Sequence, residues 1–160
     1  MHDLAFRCDA SKYHKIGTGH LYRSLAIAEA ISNKYNQPKK KIVFICKKNS
    51  FFFKTKKLIN KKGFKVLHFK NNSEISFLKN LKCKKIIFDR IQIEKKELIK
   101  MVNKKFTKVI FLDALNNSIH NCLRINSLIH RKNVKNSGYK FLISPLINQN
   151  LNKSKINKNK

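Results

Sequence analysis

What most restricts the fold of this chain is the recurrence of five short apolar runs separated by stretches of helical periodicity. LAFRC (4–8), KIVFIC (41–46), FKVLHF (64–69), KIIFD (85–89) and KVIFLD (108–113) are almost continuously apolar and short, as expected of strands buried on both faces. Between the first two, Leu21, Leu25, Ala28 and Ile31 recur on one helical face, and residues 50–62, 74–80 and 94–105 also suit helices. Gly63 stands where the second helix should stop. Strand and helix alternating at this spacing predict a parallel sheet covered by helices on both sides. The expected fold class is α/β, a Rossmann-like open parallel sheet. CLRINSLI (122–129) is a candidate sixth strand and YKFLISPL (139–146) a further extended piece. One domain over 1–147 is expected, followed by a polar Lys/Asn-rich tail, 148–160, that reads as disordered.

The net charge of +29 invites a nucleic-acid reading. The lysines, however, come in small groups (PKKK, KTKK, CKK) along the chain, together with abundant Asn, Ile and Phe, as expected of AT-rich coding. A solvated, compositionally biased surface is therefore expected, with nonspecific attraction to polyanions and no specific nucleic-acid partner. No apolar run approaches the roughly 20 residues of a membrane span. Met1-His2-Asp3 does not open a signal peptide, so a cytoplasmic protein is expected. Cys8, Cys46, Cys83 and Cys122 are scattered without a CxxC pair or zinc spacing, which reads as free thiols and no metal site.

One loop looks built for chemistry. DASKYHKIGTGH follows the first strand and leads directly into the first helix, and two of the chain's four glycines, Gly17 and Gly19, lie in it. In open α/β sheets ligands collect at this position, beyond the carboxyl ends of the strands. The two glycines allow backbone conformations and close approach that side chains would obstruct. The unpaired N–H groups of a helix beginning near His20 favour a phosphate or a developing anion. A histidine there is drawn toward its neutral, proton-accepting form. His20 and Arg23, three residues apart, share a helix face. The loop is not a dinucleotide fingerprint, because Tyr22 stands where a third glycine belongs and no acidic residue closes the second strand.

The longer string FRCDASKYHKIGTGHLYRSLAIAEAI resembles the N-terminal signature of the PseG/SpsG family, in which R-x-D-A-S is followed by I-G-x-G-H-x-x-R and an L-x-x-A helix. That family includes the UDP-2,4-diacetamido-2,4,6-trideoxy-β-L-altropyranose hydrolase of pseudaminic acid synthesis and SpsG-type surface-polysaccharide proteins. Its members are similar to two-domain GT-B glycosyltransferases of the MurG kind. The resemblance continues more weakly through KIIFDRIQIEKKELIK, KVIFLDALNN and CLRINSLIH. It implies a GT-B N-terminal domain and metal-independent, cofactor-free hydrolysis of a UDP-sugar at its glycosidic C–O bond, releasing UDP. His20 matches the family's catalytic histidine, which positions or deprotonates the attacking water. Gly17, Thr18 and Gly19 match the loop against the sugar-nucleotide, and Arg7, Asp9 and Arg23 match further motif positions. Asp89 matches an aspartate ending the fourth strand, where a carboxylate contacts the sugar or orients His20.

Three departures from the family pattern are expected to matter. Ile91 replaces a tyrosine of the hydrolases, Ala114 replaces a frequent second acidic residue, and no counterpart of the UDP-binding second domain follows. The resemblance thus implies a separately encoded UDP-binding partner, an inactive remnant, or a binding role in a surface-glycan pathway. Half of a split glycosyltransferase and a basic polyanion-binding protein are the alternative functions.

Overall fold

The computed structural model describes residues 1–9, 19–48, 52–70, 73–90, 96–113 and 122–125. The extended piece at 139–146 and the tail at 148–160 lie outside the described residues, as do Gly17 and Thr18. Six strands, β1 (His2–Cys8), β2 (Ile42–Lys47), β3 (Lys65–Phe69), β4 (Cys83–Asp89), β5 (Lys108–Leu112) and β6 (Leu123–Ile125), form one sheet in the order β3-β2-β1-β4-β5-β6. Every pairing is parallel. The helices are α1 (Gly19–Lys34), α2 (Phe52–Lys61), α3 (Glu74–Asn80) and α4 (Lys96–Lys105). This is the Rossmann-like open sheet that the alternating pattern predicts. No described helix is long and apolar enough to cross a membrane.

The period-2 alternation of the strands divides the core in two. Leu4, Phe6 and Cys8 of β1 pack on one face with Leu21, Leu25 and Ala28 of α1 and with Phe52 and Ile59 of α2. Ala5 faces the other side, with Leu78 of α3 and Leu98, Ile99 and Val102 of α4. Right-handed crossovers require this division: the chain moves outward from β1 to β3, then returns across the sheet to β4 and covers the opposite face. The order therefore reverses between β1 and β4, opening a crevice at their carboxyl ends.

Helix ends follow from the local sequence. At the end of α2, Phe64 N–H donates to Ile59 C=O and Gly63 N–H to Asn60 C=O, with Gly63 at φ 84°. That is a Schellman cap, and the burial of Ile59 and Phe64 in one cluster supplies its hydrophobic contact. The end of α1 repeats the long-range bond, Gln37 N–H to Ser32 C=O, with Asn36 at φ 48° in the glycine position. Lysines close the helices: Lys34 in α1, Lys61 in α2, Lys79 in α3, Lys104 and Lys105 in α4, where the negative end of the dipole favours them.

Sequence and structure differ at the margins. β1 begins at His2 and β4 at Cys83, both earlier than hydropathy indicates, because pairing His2 with Cys83 extends the ladder through polar positions. β6 covers Leu123–Ile125 of the candidate strand at 122–129, whose remaining residues 126–129 lie outside the described residues. β5 stops at Leu112, because Asp113 turns into the left-handed region at φ 51°.

Candidate functional site

The crevice between β1 and β4 is where strand ends bring polar groups together. Asp89 closes β4 and points to the α1 face, in register with Cys8 at the end of β1. Its side chain is 0% exposed, so its charge must be met by protein donors. Four donors converge on it. His20 Nδ1 lies 2.7 Å from Oδ1, which also receives Arg23 Nη2. Arg23 Nε donates to Oδ2 at 3.0 Å and the Ser24 hydroxyl donates to the same oxygen at 3.1 Å. Arg23 thus grips Asp89 side-on with two nitrogens, the planar fork that lysine cannot provide.

The geometry sets the histidine's tautomer. His20 Nδ1 is also 3.1 Å from Arg23 Nη2, but arginine only donates. A ring nitrogen 2.7 Å from a carboxylate oxygen therefore carries the proton, and it and Nη2–H share Oδ1 as acceptor. Nε2 is left as the basic nitrogen. The ring is held on the first turn of α1, with a side chain 12% exposed. A buried anion behind a partly exposed imidazole both orients it and stabilises the cation formed when it takes a proton.

Arg23 extends this network to β5 by donating through Nη1 to Asp113 Oδ2. Burial works against the Arg23 charge, but the hydrogen bonds and charges of Asp89 and Asp113 outweigh it and raise its pKa. Asp113 holds a left-handed backbone that costs a non-glycine residue about 1 kcal/mol. It is kept there by its N–H bond to Ile125 C=O at 2.8 Å and by Arg23. Strain over-determined in this way clusters at functional sites.

A second cluster occupies the opposite face at the same strand ends. Arg7, 1% exposed, lies 2.7 Å from Asp9 Oδ1, donates through Nε to Glu74 at 2.7 Å and stacks over Phe69. Asp9 also accepts the Lys47 N–H at 2.8 Å. Arg90 Nη1 donates to both Glu74 oxygens at 3.1 Å. Burial opposes both charges in the Arg7–Asp9 pair, yet the mutual attraction wins, so Arg7 is raised and Asp9 lowered. Arg90 is lowered, burial and the nearby Arg7 charge outweighing Glu74.

The structure therefore joins His20, Arg23 and Asp89 in one network and places Arg7 and Asp9 in another. Gly19 is the first residue of α1. Its φ lies outside the left-handed range, so no backbone conformation special to glycine is used there, and beyond its chain neighbours and its own helix no described atom comes within 4 Å of a Cβ built on it. Among the described residues, the space its missing side chain leaves is open. Ser24, Glu74, Arg90 and Asp113 were missed by sequence reasoning. Their signal is that Asp9, Glu74, Asp89 and Asp113, four of only eight carboxylates in a strongly basic chain, lie at strand or helix ends on one edge. All four cysteines are free. Cys8 lies beside the site but is turned into the core, where its bond with Cys46 and burial push its thiol pKa up, the opposite of a nucleophile. No protein-family model, curated protein or solved structure matches the chain.

Proposed function

We propose that the chain is the N-terminal, GT-B-like half of a nucleotide-sugar hydrolase of the PseG/SpsG type, acting on a UDP-linked sugar. The observation that carries the reading is the His20–Asp89 pair at the first turn of α1, beside the point where strand order reverses. In this reading Nε2 of His20 takes the proton of the attacking water while Asp89 stabilises the resulting imidazolium. Water forms the new C–O bond at the anomeric carbon, the bond to the phosphate oxygen breaks, and UDP leaves with the electron pair. Arg23 and Ser24 hold Asp89 in place by hydrogen bonds, which makes them positioning residues. The N-terminal end of α1 favours the diphosphate. The open space at Gly19 admits the ligand close to the backbone. In this reading a UDP-binding domain of the GT-B kind supplies the remaining UDP contacts.

The test uses UDP release from a panel of UDP-sugars, with the chain alone and with a co-expressed UDP-binding partner. Turnover is expected with the partner and weak without it. His20→Ala should then abolish it. Asp89→Asn, which removes the anion behind the ring, should lower it by about 10²- to 10⁴-fold. Unchanged turnover in His20→Ala, with the fold intact by circular dichroism, would overturn the reading.

A further inference from the structure

The lysines look evenly scattered in the sequence, but the fold gathers them. In a parallel α/β sheet every helix-to-strand corner falls on the edge where the strands start. The last turn of each helix, the corner after it and the first two residues of each strand hold thirteen of the twenty-two lysines among the described residues. One carboxylate, Asp3, accompanies them there. The opposite edge holds His20 and the buried carboxylates. Helix dipoles account for lysines in last turns, as in α2 and α4. They do not account for Lys40, Lys82, Lys84 or Lys108, which lie in the 3₁₀ corner Lys39–Lys41, between elements, or at strand starts. All four are exposed.

The charge of this edge is carried mainly by lysine. Arg7, Arg23 and Arg90 are all held at the strand-end edge, and Arg124, the second residue of β6, is placed at a strand start among the far more numerous lysines. Lysine supplies diffuse positive charge without the bidentate fork suited to individual phosphates or base edges. Large apolar groups are interspersed. Tyr35, in the corner after α1, is 67% exposed, and Leu123, the first residue of β6, is 44% exposed. Dispersed lysines around an aromatic and an aliphatic side chain match a lipid surface, where charge attracts anionic headgroups and apolar groups enter the interface.

We propose that the strand-start edge is a docking face for an anionic membrane surface, holding the His20 edge pointing away from the bilayer. The proposal does not depend on what His20 does. The test is co-sedimentation with phosphatidylcholine vesicles, with and without phosphatidylglycerol. The chain should bind only the anionic vesicles and be released by salt. A triple variant, Lys40→Gln, Lys82→Gln and Lys104→Gln, should lose about 100-fold in partition, each lysine near an anionic surface being worth about a factor of five. The control triple Lys48→Gln, Lys70→Gln and Lys96→Gln carries the same net charge and should lose much less. Arginine at the three edge positions should restore binding, separating lost charge from lost fold. Equal losses in the two glutamine triples would reduce the effect to net charge and overturn the proposal. So would an edge triple that weakens binding to an RNA duplex while leaving vesicle binding intact, which would reassign the face to nucleic acid.

Discussion

Arg23 has one guanidinium and two buried carboxylates to satisfy, and α1 delivers it to both because Asp89 and Asp113 end neighbouring strands. A buried ion pair is a poor source of net stability, but removing one member leaves the others uncompensated. Arg23→Met should therefore cost about 3–5 kcal/mol in urea denaturation, and Arg23→Lys should recover little, since an ammonium cannot bridge both carboxylates. Replacing Asp89 and Asp113 with asparagine in the Met background should return much of the loss. A Met variant within about 0.5 kcal/mol of the parent would mean the network carries no such weight. His20, Arg23 and Asp89 could be singled out from the sequence because a local motif and a strand end mark them. Asp113 carries only the mark of a rare carboxylate at a strand end; its meeting with Arg23 across 90 positions is encoded by no local pattern.

Among the elements, helix ends make the sharpest contrast between two glycines. Gly63 holds the left-handed position of a Schellman cap, so Gly63→Ala should destabilise by about 1–2 kcal/mol. A Cβ there would also meet the side chain of Lys39 at 3.3 Å, a contact the flexible lysine can relieve. Gly19→Ala should leave thermal stability unchanged or raise it slightly, since Gly19 is helical and its surroundings are open. Loss of sugar-nucleotide turnover in a fully stable Gly19→Ala protein is the expected pattern; a drop in melting temperature matching that of Gly63→Ala would contradict it. Gly63 was legible from its place between a helical pattern and an apolar run. The extra residues of β1 and β4 were not, because pairing of central strands draws in polar positions that hydropathy assigns to corners.

For the molecule as a whole, the shifted groups bound the pH range of stability. Asp9 is lowered by Arg7 against the effect of burial, so its contribution is present above the ordinary aspartate value of about 4 and lost as pH falls through the folded value. Cys8 is raised by Cys46 and burial. The unfolded chain therefore ionises first on the alkaline side, and stability falls above about pH 8.5. Asp9→Asn should flatten the acid limb of a urea-denaturation profile and Cys8→Ala the alkaline limb; limbs unchanged in both variants would refute these assignments. The α/β class and the order of elements were legible because each strand and helix carries its own period. The lysine edge was hidden, because only the parallel topology places corners 20 or more residues apart side by side. The same topology gives Asp113 two duties. Its amide forms the rung to Ile125 and its carboxylate balances Arg23. Any opening of β6 from β5 must release that amide to solvent. Hydrogen exchange at this one N–H is thus a clock for how often the last rung of the sheet opens beside the carboxylate that balances Arg23.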